Sequence, residues 1–429
     1  MTLRPLIAIC GTTGVGKSNI AVELALRIQQ GGFKNGWRGA KIINADSMQV
    51  YEGLNVITNK IPQEERMGVE HLLMDFKKPG EQYVVGQWVH DAIGLASNIN
   101  KIHEDGEVPI VVGGTSYWIQ HLVFPDRLMN KPSTTYKQSQ GTKELEGLVN
   151  DPELLQLFHS LPVSAPPAGE NLDEAFKMHS LLAVLDPVTA ARWHWRDTRK
   201  VLRSLEIIKE TGRKASDIVA EQSSRTAFNK PRFRTLFFWL YAEPSVLEKR
   251  LYDRVDTMLA LGLLDEIRSL RKIASESLEN DPLADGKPDY DYSLGIYQAI
   301  GYKEFHDYLS RPESTQQDFS QAVDRMKLST RQYAKRQISW IRNKLIPAIS
   351  ASAKEGSPLS LYLLDATELD KQWEINVREP AINITTTFLE GRSLPEAKSL
   401  SLRAREMLIV QEKDIRYVTQ YSSAMITWY

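Results

Sequence analysis

Residues 11–18 read Gly11-Thr12-Thr13-Gly14-Val15-Gly16-Lys17-Ser18, with glycine at the first position of the block and Gly-Lys-Ser at its end. That spacing suits a phosphate-binding loop. Glycines let successive backbone N–H groups turn inward around phosphate oxygens. A lysine at this position reaches between adjacent phosphates, and the serine hydroxyl can hold Mg²⁺. All eight residues are therefore expected to cradle an anion, with Ser18 as the metal ligand. The loop leaves the phosphate compound open. A kinase or ATPase would place a nucleoside triphosphate there; a transferase with a diphosphate leaving group could use the same cradle.

Three other sets of residues could do chemistry. Asp46, in Asn44-Ala45-Asp46-Ser47-Met48-Gln49-Val50-Tyr51, could bind Mg²⁺ or accept a proton. Asp and Ser equally favour helix caps, and the residue types alone leave both roles open. Gly113-Gly114-Thr115 is a second glycine turn that would permit close approach of a ligand. Arg331 and Lys335, four apart, share one helix face and either meet an anion or form a solvated charged surface.

These residues need elements to hold them. The apolar run 5–10, PLIAIC, predicts a buried strand before the loop, and Ile20, Ala21, Leu24 and Ile28 recur at helical spacing after it. Strand, glycine loop and helix are the context a phosphate loop requires. Residues 41–45 predict a second strand ending at Asp46, and 108–112 a third ending at Gly113. Helical stretches, notably 86–104, lie between them. The alternation predicts an α/β fold: a P-loop NTPase-like parallel sheet flanked by helices, with its loops gathered at one edge. Residues 128–180 lack strands and predict a helical insertion broken at 162–169. Beyond it the pattern predicts a helix over 187–211 in two halves, a strand over 233–240 and helices over 245–275. A loop over 276–293, a long helix over 317–344, a linker over 350–358 and a short strand over 360–366 follow.

Composition narrows the class. A chain of 429 residues allows two or three domains, and its single cysteine, Cys10, excludes a disulfide framework and a cysteine-rich zinc site. No uncharged apolar run approaches 18 residues, so no membrane span is expected. Residues 1–10 carry no cleavable signal pattern. The net charge of −1 gives no global attraction to nucleic acid, but its distribution does. Basic residues concentrate over 192–214, and over 325–344 they stand without any acid. Two local basic patches on a neutral protein suit a polyanion held at one site.

Together the blocks resemble one family, the tRNA dimethylallyltransferases or tRNA isopentenyltransferases. The resemblance is carried by GTTGVGKS (11–18), INADSMQVYEGLNVITNK (43–60), EHLLMDF (70–76) and VVGGTSYWIQHL (111–122). LAVLDPVTAARWHWRDTRKVLRSLEI (182–207), GIYQAIGYKEF (295–305) and TRQYAKRQISWIRNK (330–344) continue it in the family's order. LYLLDATELDKQW resembles the eukaryotic branch, which usually continues into a C2H2 zinc finger. With Cys10 alone, no such finger is expected here, and the tail after Leu408 departs from the family. His194-Trp195-Arg196-Asp197 stands where the family commonly has His-Pro-Asn-Asp, and Ile57 where it has Gly.

The resemblance implies transfer of dimethylallyl from its diphosphate to N6 of adenosine 37 in tRNAs reading codons that begin with U. It implies Asp46 as general base, Thr13 and Arg331 as further diphosphate ligands, Mg²⁺ at Ser18, and a tRNA anticodon stem-loop as partner. Ser47, Met48, Gln49, Gly114 and Thr115 would meet the flipped base, while Arg199, Lys335 and Arg336 would meet the tRNA backbone. The expected organisation is a catalytic core over 1–126, a helical insertion for the anticodon stem over 127–185, the rest of the core over 186–348, and a fingerless extension over 349–429. A monomer in the cytosol is expected, with mitochondrion and nucleus as further compartments. The rival readings are an adenylate isopentenyltransferase acting on AMP, ADP or ATP, a P-loop ATPase or small-molecule kinase, and a nonenzymatic tRNA-binding protein.

Overall fold

The structure is a computed structural model that describes residues 3–31, 33, 36–94, 99–125, 135–162, 165–166, 171–225, 230–279 and 295–410. Six strands, β1 (Pro5–Gly11), β2 (Gly39–Asn44), β3 (His71–Leu72), β4 (Glu107–Val112), β5 (Arg234–Tyr241) and β6 (Leu359–Asp365), form one sheet in the order β3-β2-β4-β1-β5-β6. Every pairing is parallel. A parallel sheet covered on both faces needs strands that are apolar throughout, as PLIAIC and LFFWLY are. Register places Ile7 beside Ile110 on one side and Leu236 on the other, so β1 lies in the interior of the sheet.

One sheet face, made by Ile7, Ile9, Ile110, Val112, Leu236, Phe238, Tyr362 and Leu364, packs on Ile20, Leu24 and Ile28 of the helix Lys17–Gln29. Val377, Ala381, Ile384 and Phe388, from the chain after β6, join the same cluster. Strand residues of opposite parity, such as Leu6, Ala8, Phe237 and Trp239, are buried too, so both faces are covered.

The described residues divide into two compact units, one of residues 3–125 with 230–410 and one of residues 135–225. The second unit is helical, with helices Thr135–Glu146, Pro152–His159, Leu172–Leu185, Pro187–Ala190, Thr198–Thr211 and Ala215–Arg225. Its core gathers Phe158, Met178, Leu181, Leu182, Leu185, Val201, Leu205 and Ile208.

Several expectations are corrected in detail. The helical stretch 86–104 is two helices, Val85–Ile93 and Ile99–Glu104. The helices expected over 245–275 are present, as Pro244–Ala260 and Leu263–Glu279, parted at Gly262 with its φ of +94°. The expected linker at 350–358 is largely helix, Ile346–Lys354. Its Ala and Ser residues give no apolar contrast, yet Ala348, Ile349 and Ser352 are buried. The long helix Gln316–Trp340 runs into it through a wide turn at Ile341–Leu345, two residues before Pro347. A second wide turn, Glu374–Arg378, stands two residues before Pro380. Proline lacks an N–H and clashes with the carbonyl four residues back, and widening the turn before it relieves both. Of the expected loop at 276–293, residues 276–279 are helix and 280–293 lie outside the described residues. So do most of the 162–169 break and the tail beyond 410.

Candidate active site

The phosphate loop leaves the C-terminal end of β1, and its glycines are required by close neighbours. A Cβ on Gly11, at φ +152°, would stand 2.4 Å from the carbonyl oxygen of Leu240 in β5. Gly16, at φ +81°, caps the helix Lys17–Gln29, and a Cβ there would stand 2.6 Å from the Trp373 ring. Lys17 Nζ donates to the Thr12 carbonyl at 2.6 Å. Burial pulls Lys17 down to about 8; the Asp46 carboxylate opposes that pull and the Arg254 guanidinium adds to it. Thr12 Oγ1 is buried and has no hydrogen-bond partner among the described residues, as suits a group waiting for an anion.

Arg254, on the helix Pro244–Ala260, reaches the phosphate loop and was missed by sequence reasoning. It donates through Nη1 to Thr13 Oγ1. Burial pulls it down to about 10, against the opposing pull of Asp46 and Tyr333. Its Nε is buried and without a hydrogen-bond partner among the described residues. The available signal was position: Leu247, Leu251, Val255 and Met258 form the buried face of this helix, and Arg254 adjoins it.

Gln337 was also missed. Its Oε1 accepts from the Thr13 N–H at 2.9 Å and its Nε2 donates to the Gly114 carbonyl at 3.0 Å, tying the phosphate loop to the turn after β4. Val323, Met326, Thr330, Ala334 and Gln337 make the buried stripe of Gln316–Trp340, so a polar residue at an inward position was the legible sign. The second glycine turn is close-packed: a Cβ on Gly113 would stand 2.1 Å from the Ala45 carbonyl oxygen, and one on Gly114 2.6 Å from Gln337 Nε2.

Asp46 stands just past the end of β2, where a turn and not a helix follows it. Oδ1 accepts from the Met48 N–H at 3.0 Å, a local cap. Oδ2 turns toward Gly114, 3.1 Å from where a Cβ would sit. Thr115 Oγ1 accepts from the Ser47 N–H at 3.1 Å and so fixes the segment after Asp46. The Gln49 side-chain amide is held by the carbonyls of Thr58 and Asn59, at 3.2 and 3.1 Å. The loop beyond is clipped from within. Lys60, buried, donates to the carbonyls of Tyr51 and Gly53 and to Asp75. Glu266 accepts from the N–H groups of Val56 and Ile57. Leu54, Asn59, Met67, Leu73 and Asp75 all take positive φ in this stretch, strain that over-determined packing must hold.

Arg331, Lys335 and Arg336 share the helix of Gln337 but face away from it. Arg331 Nη1 meets Glu248 Oε1 at 2.7 Å, which pushes its guanidinium further up. Lys335 and Arg336 are exposed. Acids from other elements temper the basic run 325–344, with Lys327 on Asp256 and Arg325 beside Asp307. Lys344 is buried, and burial brings it to about 8, so it is no surface cation. In the helical unit the 192–214 patch is likewise part-neutralised, with Arg203 on Glu206 and Arg213 on Glu221; Arg199 is exposed.

Among the described residues no group of three or more His, Cys, Asp or Glu forms a metal cage. Mg²⁺ does not need one, since it commonly binds through one or two protein oxygens, water and substrate phosphates. The Ser18 hydroxyl and Asp46 Oδ2 are oxygen donors of that kind. No helix among the described residues is long and apolar enough to cross a membrane.

A parallel sheet with a phosphate loop leaving an interior strand and a glycine turn leaving its neighbour defines a P-loop protein of the α/β class. The chain belongs to the IPP transferase family, whose model matches residues 49–344. It is 39% identical to the tRNA dimethylallyltransferase of Schizosaccharomyces pombe, across 91% of this chain and 80% of that protein. The Saccharomyces cerevisiae enzyme of the same name is 35% identical across 92% of this chain and 78% of its own. A crystal structure of a eukaryotic dimethylallyltransferase acting on tRNA superposes with a TM-score of 0.68 at 34% identity, covering 94% of this chain and 84% of that one. The full-length tRNA isopentenylpyrophosphate transferase of Bacillus halodurans gives 0.50 at 29% identity, covering 91% and 100%.

Proposed function

We propose that this chain transfers the dimethylallyl group from dimethylallyl diphosphate to N6 of adenosine 37 in tRNAs reading codons that begin with U. One observation carries the reading: two half-buried cations, Lys17 and Arg254, flank the phosphate loop, and the carboxylate of Asp46 acts on both. That arrangement supports an anion site with a proton acceptor beside it.

The adenine amino group is a weak nucleophile because its lone pair is delocalised into the ring. In the proposed step N6 attacks the first carbon of the prenyl chain, the carbon–oxygen bond to the diphosphate breaks, and the N6 proton passes to Asp46 Oδ2. The loop N–H groups from Gly14 to Ser18, with Lys17 and Arg254, meet the charge developing on the leaving group. Thr13 is held by Gln337 and Arg254 at the centre of this set. Arg331 would act one layer out, through Glu248 on the helix of Arg254. Mg²⁺, held by Ser18, would neutralise departing diphosphate charge.

Ser47, Met48, Gln49, Gly114 and Thr115 would receive the base once it leaves the anticodon-loop stack, which costs less from a loop than from a duplex. Lys335, Arg336 and Arg199 would contact tRNA phosphates. The helical insertion would bind the anticodon stem. The protein would act as a monomer in the cytosol, with mitochondrion and nucleus as further sites. The deciding assay supplies labelled dimethylallyl diphosphate with tRNA and with AMP. Label in tRNA supports the reading. Label in AMP instead assigns a free-nucleotide prenyltransferase, and label in neither overturns prenyl transfer.

A further inference from the structure

The chain after β6 lies outside the matched family region, 49–344, and so does the phosphate loop. Yet the two meet. At the turn after β6, Arg250 donates through Nη1 to the Ala366 carbonyl at 2.7 Å and through Nη2 to that of Thr367. Thr367 Oγ1 accepts from the Glu243 N–H at 3.0 Å, at the start of the same helix, Pro244–Ala260. That helix carries Arg254. Asp370 then takes φ +57°, and the chain turns into Lys371–Trp373.

Trp373 ends against the phosphate loop. A Cβ on Gly16 would stand 2.6 Å from ring atom Cη2 and 3.0 Å from Cζ3, so the ring edge fills the space a side chain would need. Behind the ring, Glu23 of the helix Lys17–Gln29 pairs with Arg378 Nε at 3.1 Å. Val377 and Ala381 continue into the apolar cluster of Ile20, Leu24 and Ile28. One short segment thus grips both helices that hold donor-site side chains, the one beginning at Lys17 and the one bearing Arg254.

We infer that residues 366–378 are a working part of the donor site, and that Trp373 is a positioning residue for the diphosphate. Its ring keeps Gly16 in the left-handed conformation that aims the loop N–H groups, while Arg250 and Glu243 fix the opposite wall. Anion affinity then depends on a segment that touches no phosphate, because preorganised donors need no rearrangement when the ligand arrives. The inference rests on the donor reading above and not on the identity of the acceptor.

The test uses the full chain, Mg²⁺ and inorganic pyrophosphate, with binding followed by calorimetry alongside steady-state transfer. Trp373→Ala should weaken pyrophosphate binding and raise the KM for dimethylallyl diphosphate by about tenfold or more, since small misplacements of binding groups are costly. The KM for tRNA, and kcat with donor saturating, should stay within about twofold, because those groups are not touched. Trp373→Phe, which keeps a ring against Gly16, should recover binding to within about threefold. Arg378→Ala leaves the ring in place and should give a smaller loss of the same kind, so the reading does not depend on one variant folding. Pyrophosphate binding unchanged in Trp373→Ala overturns the brace. So does a parallel rise in both KM values with a lowered Tm, the mark of general loosening. If the unaltered chain binds no pyrophosphate, the phosphate-loop reading falls, and the brace with it.

Discussion

Replacing Arg254 by methionine separates binding power from stability. Burial lowers this guanidinium from an ordinary 12.5 to about 10. At about 1.4 kcal/mol per pH unit, that drop corresponds to roughly 3 kcal/mol of desolvation that neighbouring groups leave unrelieved in the donor-free protein. A diphosphate oxygen beside Thr13 would relieve it. Methionine keeps the stem and removes the charge, so donor KM should rise by about 10²-fold, the equivalent of that energy. The Tm of the donor-free protein should not fall, because a poorly compensated cation has gone. Arg331→Met is the matched control: its partner Glu248 is on the surface side, exposed pairs are weak, and the expected effect on donor KM is under about threefold. The assay is steady-state transfer with tRNA saturating, with thermal unfolding of both variants. A large loss in Arg331→Met and a small one in Arg254→Met would refute the geometric assignment and return the role to Arg331. A fall in Tm matching the loss of activity would make Arg254 a structural residue.

Lys17, lowered to about 8 by burial, should take up a proton when pyrophosphate binds near pH 8.5, an uptake lost in Lys17→Met and readable by calorimetry in buffers of different ionisation enthalpy. In the donor-free protein the unfolded chain keeps this proton up to about 10.5, so between about 8 and 10.5 Lys17 makes stability rise with pH, and Lys17→Met should flatten that slope. Asp46→Asn should lower single-turnover transfer by about 10²- to 10⁴-fold, with both substrate affinities changed less than about fivefold; full rescue by excess Mg²⁺ would make Asp46 a metal ligand. Neutralising exposed Lys335 or Arg336 should raise the KM for tRNA and lower its salt slope by about one per charge; unchanged binding across salt concentrations would leave them a solvated face.

What the sequence disclosed follows from locality. Gly11 to Ser18 and the strand before them are contiguous, and their chemistry needs only neighbours in the chain. Asp46 was visible because a strand end puts it at the ligand edge. Arg254 and Gln337 were not, because each acts across more than two hundred residues and looks locally like an ordinary helix position. The charge run 325–344 was only partly legible, for the opposite reason. Its own segment has no acid, but Glu248, Asp256 and Asp307 arrive from other elements. Trp373 was legible only as part of a family-like stretch, and nothing local links it to Gly16. The strand 360–366 was expected as short; the structure pairs it over Leu359–Asp365 with Thr235–Tyr241 of β5.

That last pairing has a bearing on synthesis. β1 and its loop leave the ribosome well before the strands on its outer side, since β5 follows only at Arg234–Tyr241 and β6 only at Leu359–Asp365. At about 5–20 residues per second, the roughly 120 residues between β5 and β6 take some 6 to 24 s. During that interval the apolar edge of β5, Leu236-Phe237-Phe238-Trp239-Leu240, has no partner on its outer side. An unpaired, flat, hydrophobic edge invites pairing with other chains. Nascent chains halted between these two strands should therefore be the ones that chaperones hold most tightly, and polysomes stalled there the ones most prone to aggregate.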